Sequence, residues 1–341
     1  MRTSPRAAAK VPPKQSEKIG RLDIDDELRR AILPLCRLKP GEIWKDKKSG
    51  HRVGVIDATD AKAVARLMDG DRIDLALNDP PYNIRLGNKS TDALFELSED
   101  EYDAFTAKWV ANCVAHLSAR ANFYCWLGAN YKRGFHPIPE FLLLMRGYKE
   151  LTPRNWITVR NQRGFGTQKN WMWIRQELFY YTKGDGYFDV NAEYTEIPKV
   201  LKGYYKAVNG KVTENIERGK SENIRAGNVW LDIQQVFYRM EENVAGCYAQ
   251  KPMKSIERII TASAALGVTV ADFFSHSGTT LIAGERLGRR VIAADVDPIY
   301  AEITIRRLER FRKLGKIGWQ WESPFPELGS VLAGGQEESR V

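Results

Sequence analysis

The feature that most constrains the fold is residues 268–295, where apolar and small-residue segments follow one another in a fixed order. VTVADFF (268–274) has the composition of a buried strand, SHSGTT (275–280) is a turn of small residues, and LIAGERLG (281–288) has helical spacing. VIAADV (291–296) then predicts a second buried strand. Strand, helix and strand in this order predict a parallel βαβ unit, because parallel strands need a long crossover connection.

A similar alternation extends over most of the chain. Apolar runs predict further strands at 51–56, 72–78, 121–127, 150–159 and 177–183. Helical apolar spacing predicts helices at 23–35, 58–68, 101–117, 255–266 and 299–314. Strands that alternate with helices predict an α/β fold, namely one doubly wound, mostly parallel, Rossmann-like sheet.

Composition divides the chain into five predicted parts. They are a disordered basic tail (1–22), a first half of the α/β domain (23–189), an insertion (190–228), a second half of the same domain (229–322) and a loose tail (323–341). The insertion is predicted to lie outside the core because it is polar, rich in Lys and Glu, and weakly periodic.

The net charge and the cysteines indicate which kind of partner and which cellular compartment to expect. The formal net charge is +9, and a basic balance favours polyanionic partners, since Lys and Arg that meet phosphates release condensed counterions. The four cysteines are scattered, without the spacing of a metal site or a disulfide framework, which fits a reducing cytoplasm. No apolar run reaches transmembrane length, so a cytoplasmic protein is expected.

The turn at 275–280 has the chemistry of an adenosine-cofactor site. Residues from Ser277 onward open the next helix, and backbone N–H groups at a helix N-terminus favour a negative group. Asp295 ends the following strand, about 20 residues on, where adenosine-cofactor folds place a ribose-binding acid. NAD binding would leave a similar pattern, but GxGxxG is absent and His276 stands where a Gly is expected.

A second cluster, Asp79-Pro80-Pro81-Tyr82, follows the predicted strand 72–78 directly. The Asp79 carboxylate and the Pro80 carbonyl can each accept a hydrogen bond from one amino group, which aligns the nitrogen lone pair with an incoming methyl group. The prolines stiffen this backbone, and Tyr82 offers a π-face on which a flipped base can stack, worth about 1–3 kcal/mol. A plain Pro-Pro turn at a strand end is the alternative.

Together these motifs resemble a known family. DPPY at 79–82, followed by KP at 251–252 and D-x-F-x-x-S-G-T-T at 272–280, resembles the permuted (β-group) DNA amino-methyltransferases, which methylate adenine N6 or cytosine N4. The resemblance covers residues 41–313. It implies the S-adenosylmethionine-dependent methyltransferase form of the α/β fold, S-adenosylmethionine as cofactor and double-stranded DNA as partner, with the target base flipped out.

The resemblance also implies a biological setting. The insertion 190–228 would be the target-recognition region. The enzyme would be prokaryotic or of phage type and would belong to restriction-modification. A homodimer and a cognate restriction nuclease are partners that such enzymes can have.

The resemblance assigns roles by position. Asp79, Pro80, Pro81 and Tyr82 would hold and stack the target base. Asp295 would bind the ribose hydroxyls, and Asp57 would help to hold the adenine of the cofactor. The residues that would surround the methionine part of the cofactor are Lys251, Pro252, Asp272, Phe274, Ser277, Gly278, Thr279 and Thr280. Ile56, Phe273 and His276 depart from the family pattern, but no departure removes a chemical group, so an active enzyme is expected.

DPPY favours adenine N6 as the methylated atom, because N4-cytosine enzymes more often carry Ser at the first position. No Cys-Pro pair is present, which argues against C5-cytosine chemistry. The predicted reaction is direct transfer from sulfonium to nitrogen, without a covalent enzyme intermediate. Cytosine N4, an RNA substrate and a catalytically silent DNA-binding protein on the same scaffold are the alternatives.

Basic and aromatic residues are interleaved over 146–175, which predicts a track for the DNA backbone. The candidates for DNA contact are Arg160, Arg163, Lys169, Trp171, Lys202 and Lys206. Trp156 is assigned to the core. The histidines lack metal-ligand spacing, so no metal site is predicted.

Overall fold

Within the residues that the structure describes, nine strands form one mixed sheet at the centre of the protein. The structure is a computed structural model that describes residues 20–23, 25–82, 97–128, 136–165, 171–190, 194–200, 203–216, 221–237 and 239–329. The described residues form thirteen strands, of which β7 to β10 lie outside this sheet. The strands are β1 (Ile43–Lys45), β2 (Arg52–Val55), β3 (Ile73–Asn78), β4 (Leu117–Gly128), β5 (Leu151–Phe165), β6 (Trp173–Lys183), β7 (Tyr194–Pro198), β8 (Gly203–Val208), β9 (Lys211–Ile216), β10 (Asn223–Arg225), β11 (Val229–Trp230), β12 (Thr269–Asp272) and β13 (Arg290–Asp295).

Helices cover both faces of this sheet. They are α1 (Asp26–Ile32), α2 (Ala61–Met68), α3 (Glu99–His116), α4 (Pro137–Gly147), α5 (Met253–Ser263), α6 (Thr279–Arg286) and α7 (Pro298–Leu314), with short 3-10 turns at Leu33–Leu35 and Pro326–Leu328. The local sequence explains where they begin. Asp60 caps α2 through two backbone N–H groups, and Ser98 and Glu101 form a capping box at α3.

The strand order is β1-β2-β13-β12-β3-β4-β6-β5-β11. The run from β2 to β4 is parallel throughout, whereas β1 and β6 pair antiparallel with their neighbours. This arrangement confirms the predicted doubly wound, mostly parallel sheet.

The strands bury both faces. Leu75 and Leu77 of β3 join a core formed with α5, α6 and α7, whereas Ala76 between them joins a core formed with α2, α3 and α4. Side chains on a strand alternate between faces, so a central strand covered on both sides is apolar at nearly every position. None of the described helices is long and apolar enough to cross a bilayer.

The strand order reverses between β12 and β3. The chain runs from β12 through α6 to β13, which lies on one side of this point in the sheet. It runs from β3 through α3 to β4, which lies on the other side. A crevice opens at the carboxyl ends of parallel strands where the order reverses. Asp79, Asp272 and Asp295 each stand at the carboxyl end of one of these strands, so the fold brings the two predicted motifs together.

The segment from β7 to β10 forms small sheets of its own. β7 pairs with β10 and β8 pairs with β9, and within the described residues neither pair joins the central sheet. The sequence had indicated weak periodicity here and no particular element. The division of the chain at 190 and 228 remains a prediction.

The prediction that Trp156 lies in the core is wrong. The side chain is 47% exposed, although its ring packs on Phe179 and its indole N–H donates to Glu177 at 2.6 Å. Trp156 lies on β5, near one edge of the sheet, and among the described residues the two-residue strand β11 is the one strand beyond it. An apolar residue in a strand is therefore not necessarily covered.

Candidate active site

A cavity of about 670 Å³ opens at the crevice. Ligand pockets of this size, about 300–1,000 Å³, hold drug-sized molecules. The DPPY residues, after β3, and Asp295 and Tyr300, at β13 and after it, line two parts of its wall, the predicted catalytic end and the predicted cofactor end, and β12 separates the two strands. The cavity therefore connects the predicted catalytic and cofactor halves, which are far apart in the sequence.

Asp79 lies at the first end, directly after β3. One carboxylate oxygen accepts the hydroxyl of Tyr82 at 2.5 Å, and the other accepts Nζ of Lys251 at 2.5 Å. A carboxylate offers about four acceptor positions, so Asp79 retains capacity for an amino group. Within the described residues no hydrogen bond uses the Pro80 carbonyl, the second predicted acceptor.

Tyr82 is held from two sides. A Cβ on Gly128, the last residue of β4, would come within 2.9 Å of the Tyr82 ring, so the absent side chain of Gly128 leaves the room for that ring. The carbonyl of Pro81 accepts the hydroxyl of Tyr102 at 2.7 Å. Burial, with the nearby charge of Asp79, raises the pKa of Tyr82 well above its usual value. The phenol is therefore a neutral donor to Asp79.

Lys251 is placed at Asp79, 172 positions away in sequence. Its ammonium also lies 3.1 Å from the Tyr82 hydroxyl, 5.4 Å from the Tyr82 ring centre and 5.3 Å from that of Trp126. Only 8% of its side chain is exposed. The resemblance places Lys251 around the methionine part of the cofactor, whereas its described contacts are with the predicted base-holding residues.

Asp272 ends β12 behind the cavity wall. Its carboxylate accepts the Thr280 hydroxyl at 2.5 Å and the backbone N–H of Phe274 at 3.0 Å. Burial raises the pKa of Asp272 to about 7. These contacts fold the loop back onto its own strand, so Asp272 shapes the loop that faces the cavity.

The loop 275–278 approaches α7 closely. Gly278 has φ +74°, and a Cβ there would stand 2.8 to 3.0 Å from Thr304 of α7. His276 also has a left-handed φ of +43°, which accounts for the Gly expected at that position. Its ring packs against Tyr300 with centres 4.5 Å apart, and burial lowers its pKa to about 4, which leaves the ring neutral.

Asp295 and Asp57 mark the cofactor end. Asp295 accepts the backbone N–H groups of His276 and Asp297 at 2.9 and 3.0 Å, and burial raises its pKa to about 7. Asp57 is exposed at the cavity and accepts both the N–H and the hydroxyl of Thr59 at 2.8 Å. Both carboxylates stand where hydroxyl or amino groups of a ligand could donate to them.

The structure brings some predicted site residues to the cavity wall and places others behind it. The residues that line the cavity are Asp57, Asp79, Pro80, Pro81, Tyr82, Arg160, Lys251, Pro252, Phe274 and Asp295. The residues that do not line it are Asp272, Ser277, Gly278, Thr279 and Thr280, all buried. The buried guanidinium of Arg307 donates to the Ser277 carbonyl at 2.8 Å and to the Thr279 hydroxyl at 3.1 Å, which fixes this inner layer.

Sequence reasoning missed several lining residues. They include Asp23, Phe105, Trp126, Arg175, Gln235, Cys247, Tyr248 and Tyr300. Tyr300 follows Asp295 closely enough that proximity in sequence could have indicated it. The stretch 233–250 has no regular period, so no local signal marked it as a wall of the site.

The predicted DNA-contact residues lie on or beside the β5–β6 hairpin and in the segment after it. Arg160 is exposed at the cavity, and Arg175 lines the cavity opposite it on β6. Trp171 is 94% exposed. Arg163 and Lys206 lie on β5 and β8, whereas Lys169 and Lys202 lie outside the described residues.

A protein-family model and several known proteins match most of the chain. Residues 73–306 match the family model of the N6/N4 methyltransferases, described as DNA methylase. The chain is 28% identical over 242 residues to the type II methyltransferase M.HpaI of Haemophilus parainfluenzae, a match that covers 71% of this chain and 70% of that protein. It is 26% identical over 263 residues to the DNA adenine methyltransferase YhdJ of Escherichia coli K12, which covers 76% of this chain and 84% of that protein.

Among solved structures, the cytosine-N4-specific PvuII DNA methyltransferase shares the fold. The TM-score is 0.54 at 15% identity, and the match covers 79% of this chain and 89% of that one. The family match spans more than half of the chain and runs from β3, whose end carries Asp79, to α7, beyond Asp295. The chain therefore belongs to the N6/N4 family of DNA methylases.

Proposed function

We propose that this protein transfers the methyl group of S-adenosylmethionine to N6 of an adenine flipped out of duplex DNA. The observation that carries the proposal is the placement of Asp79 in the same cavity as Asp295, each at the carboxyl end of its strand. One acid can hold an amino group while the other holds a ribose.

The lining residues fit S-adenosylmethionine. The cavity has room for a molecule of this size, and Asp295 and Asp57 offer acceptors for hydroxyl and amino groups. Phe274 and Ile56 supply apolar surface for flat or aliphatic parts. When bound, S-adenosylmethionine supplies an electrophilic methyl group on a sulfonium.

The residues of the DPPY motif prepare the amino group. Asp79 accepts a hydrogen bond from one N–H and the Pro80 carbonyl accepts from the other, so the nitrogen lone pair points away from both acceptors. Tyr82 stacks on the base, and this contact offsets part of the few kcal/mol lost when a base leaves the duplex. When bound, S-adenosylmethionine would give up its methyl group and leave as the neutral thioether S-adenosylhomocysteine. The amino nitrogen would carry positive charge during the transfer, which the carboxylate of Asp79 would stabilise, and its extra proton would then pass to Asp79 or to water.

The pair of Asp79 and Lys251 sets a condition on this mechanism. The Lys251 ammonium lies against the oxygen of Asp79 that an amino group could also use, so it has to share that oxygen or shift when the base enters. An ammonium near a sulfonium would be unfavourable, and the anionic Asp79 that pairs with Lys251 would reduce this repulsion.

Adenine is proposed over cytosine because Asp occupies the first position of DPPY. YhdJ, which carries adenine methyltransferase in its name, is a relative by sequence over most of this chain. The likeness to the cytosine-specific PvuII enzyme concerns the fold alone.

DNA would approach over the β5–β6 hairpin. Arg160 and Arg175 flank the cavity, where the phosphates beside an extruded nucleotide would lie. We keep Arg163, Lys169, Trp171, Lys202 and Lys206 as predicted contacts, the insertion 190–228 as the predicted recognition region, and the homodimer and the cognate nuclease as predicted partners.

The test is methyl transfer from tritiated S-adenosylmethionine to unmethylated bacterial DNA, followed by mass spectrometry of the nucleosides. We expect N6-methyladenine from the wild type and from the control Asp69→Asn, whose exposed carboxylate lies away from the cavity, and none from Asp79→Asn. N4-methylcytosine that also depends on Asp79 would keep the mechanism and change the base. No labelled DNA from the wild type would refute the proposal.

A further inference from the structure

A short segment before α1, residues 20–23, forms part of the cofactor end of the cavity. Asp23 lines the cavity and is 6% exposed. The family match begins only at residue 73, so it assigns no role to this segment. The sequence had placed residues 1–22 in a basic tail, and nothing in the local pattern marked Asp23 as a site residue.

The segment is fixed by several contacts. Leu22 is fully buried against Ile299 and Tyr300, and its backbone N–H donates to the Gly246 carbonyl at 2.9 Å. Arg29 of α1 donates to the Leu22 carbonyl at 2.9 Å and to Asp297 at 2.6 Å. Asp23 is therefore held on the wall formed by 244–248 and α7.

Arg21 orients the carboxylate of Asp23. Its guanidinium donates from Nε to one oxygen at 2.9 Å and from Nη2 to the other, and it lies over the Tyr248 ring at 4.0 Å. These two bonds use about half of the acceptor positions of a carboxylate. The Asp23 carboxylate is buried at the cavity. Its remaining acceptor positions are therefore costly to leave without a hydrogen bond, unless a ligand or a water molecule donates to them.

The neighbours of Asp23 place it at the ribose end. Leu22, next to Asp23, lies in one apolar cluster with Tyr300, whose ring packs on His276, and the His276 backbone N–H donates to Asp295 at 2.9 Å. Asp23, His276, Asp295 and Tyr300 all line the cavity. A neutral polyol here would supply donors to the acceptor positions that both acids leave open.

We propose that Asp23 is a cofactor-binding residue that accepts a hydrogen bond from the ribose hydroxyls, so that the ribose lies between Asp295 and Asp23. The inference rests on the proposed function, because it takes S-adenosylmethionine as the ligand of this cavity.

The experiment compares two ligands on the same variants by isothermal titration. The ligands are S-adenosylhomocysteine and its 2′,3′-dideoxy analogue, which lacks both ribose hydroxyls. The variants are Asp23→Asn and the control Asp25→Asn, which removes the same charge two positions along. Asp25 caps α1 through the Leu28 N–H, and Asn is an equally good cap.

For Asp23→Asn we expect the Kd of S-adenosylhomocysteine to rise about tenfold, as for a lost hydrogen bond to a charged group. The Kd of the dideoxy analogue should rise less than about twofold, because the variant and the analogue remove the same interaction. Asp25→Asn should leave both constants unchanged. The Kd values of both ligands are measured on the same variant. A smaller fraction of folded protein would affect both values equally, so it cancels in their ratio.

An equal rise for both ligands, or no rise for either, would overturn the role of Asp23 while the proposed function stands, provided that the wild type binds S-adenosylhomocysteine. If the wild type does not bind it, the proposed function and this inference fail together.

Discussion

The Asp79 carboxylate has more hydrogen-bond donors around it than the four-residue motif by itself indicated. The protein supplies the phenol of the partly buried Tyr82 on one oxygen and the ammonium of the buried Lys251 on the other. The carboxylate is therefore held in one orientation before a substrate arrives. This preorganisation is what a catalytic acceptor requires, because no energy is then spent on orienting it during the reaction.

Replacement of Lys251 tests this arrangement. In Lys251→Met the Asp79 oxygen loses its charged partner, and we expect kcat to fall about tenfold to a hundredfold, while the Kd of S-adenosylhomocysteine changes less than about threefold. Lys251→Arg, which keeps the charge, should recover part of the loss. The control is Lys254→Met, three positions further on at the start of α5, whose ammonium pairs with Glu196 and Asp232, neither of which lines the cavity.

Equal losses of kcat in the Lys251→Met and Lys254→Met variants would mean that Lys251 supports the fold rather than Asp79. A full kcat in Lys251→Met would mean that Asp79 needs no internal cation.

Asp272 predicts a pH dependence of stability. Burial raises its pKa to about 7 in the folded state, above the ordinary value of 3.8. The folded state therefore holds its proton more tightly, so this contribution to stability is complete below about pH 4 and is lost as the pH rises through 7. The free energy of unfolding of the wild type, relative to Asp272→Asn, should fall between pH 4 and 7, by at most about 1.4 kcal/mol per pH unit.

Urea titrations of both proteins at several pH values measure this difference. The Asp272→Asn variant keeps one acceptor oxygen, for the Phe274 N–H, while the Thr280 hydroxyl can rotate to accept from the new amide group. Any constant cost of this change does not depend on pH, so the slope of the difference against pH reports the titration. A difference that stays constant from pH 4 to 7 would contradict the prediction. Asp295 has a pKa raised in the same direction, chiefly by burial, and this main part is common to both proteins.

At the scale of elements, the junction between β12, the loop 275–278 and α6 is the most constrained part of the site. Gly278 meets Thr304 of α7, Asp272 binds Thr280, and Arg307 binds the Ser277 carbonyl. The small residues of this turn allow close packing of the loop against α6 and α7, behind the wall of the cavity.

A comparison of two glycines with similar backbone angles distinguishes the cost of backbone strain from the cost of a steric clash. Gly278 has φ +74° and Gly315, at the end of α7, has φ +69°, but a Cβ at Gly315 meets no atom within 4 Å. Gly315→Ala should cost about 1 kcal/mol for the left-handed conformation. Gly278→Ala should cost about 1–3 kcal/mol more, because the methyl group collides with Thr304.

Chemical denaturation of both variants measures these costs, and titration with S-adenosylhomocysteine should show weaker binding for Gly278→Ala alone. If the two variants lose the same stability, the contact with Thr304 is not a constraint on the loop.

For the whole molecule, the formal net charge of +9 and the position of the cavity act together. On the proposed function, a basic surface would attract DNA without regard to sequence, whereas the cavity at the reversal of strand order would receive the extruded nucleotide. The β5–β6 hairpin links the two, because it pairs with β4 in the sheet and carries Arg160 and Arg175 to the cavity.

This link predicts a change in salt dependence. Arg160→Gln should weaken DNA binding and reduce the slope of log K against log salt by about 1, the value expected for one phosphate contact. Arg120→Gln, at an exposed pair with Asp185 on another part of the surface, should leave the slope unchanged. Fluorescence anisotropy with a labelled duplex at several salt concentrations measures both. Equal slopes for Arg160→Gln and the wild type would remove Arg160 from the interface.

The sequence by itself determined the fold class and the position of the two motifs. Alternating strands and helices dictate a parallel sheet, and in such a sheet the residues that follow each strand meet at one edge. Asp79 and Asp295 could therefore be assigned to one site, because the information lies in local pattern and strand direction. The family match bears out the class of enzyme that these motifs indicated.

Only the tertiary structure decided which side chains share the cavity and which stand behind its wall. Lys251 reaches Asp79 across 172 positions, and Asp23 reaches the cofactor end from a segment with no pattern of its own. Trp156 is half-exposed because β5 lies near the edge of the sheet, which its own residues do not reveal. These features depend on how distant elements pack against one another, and the hydrophobic periodicity within one element does not encode that packing.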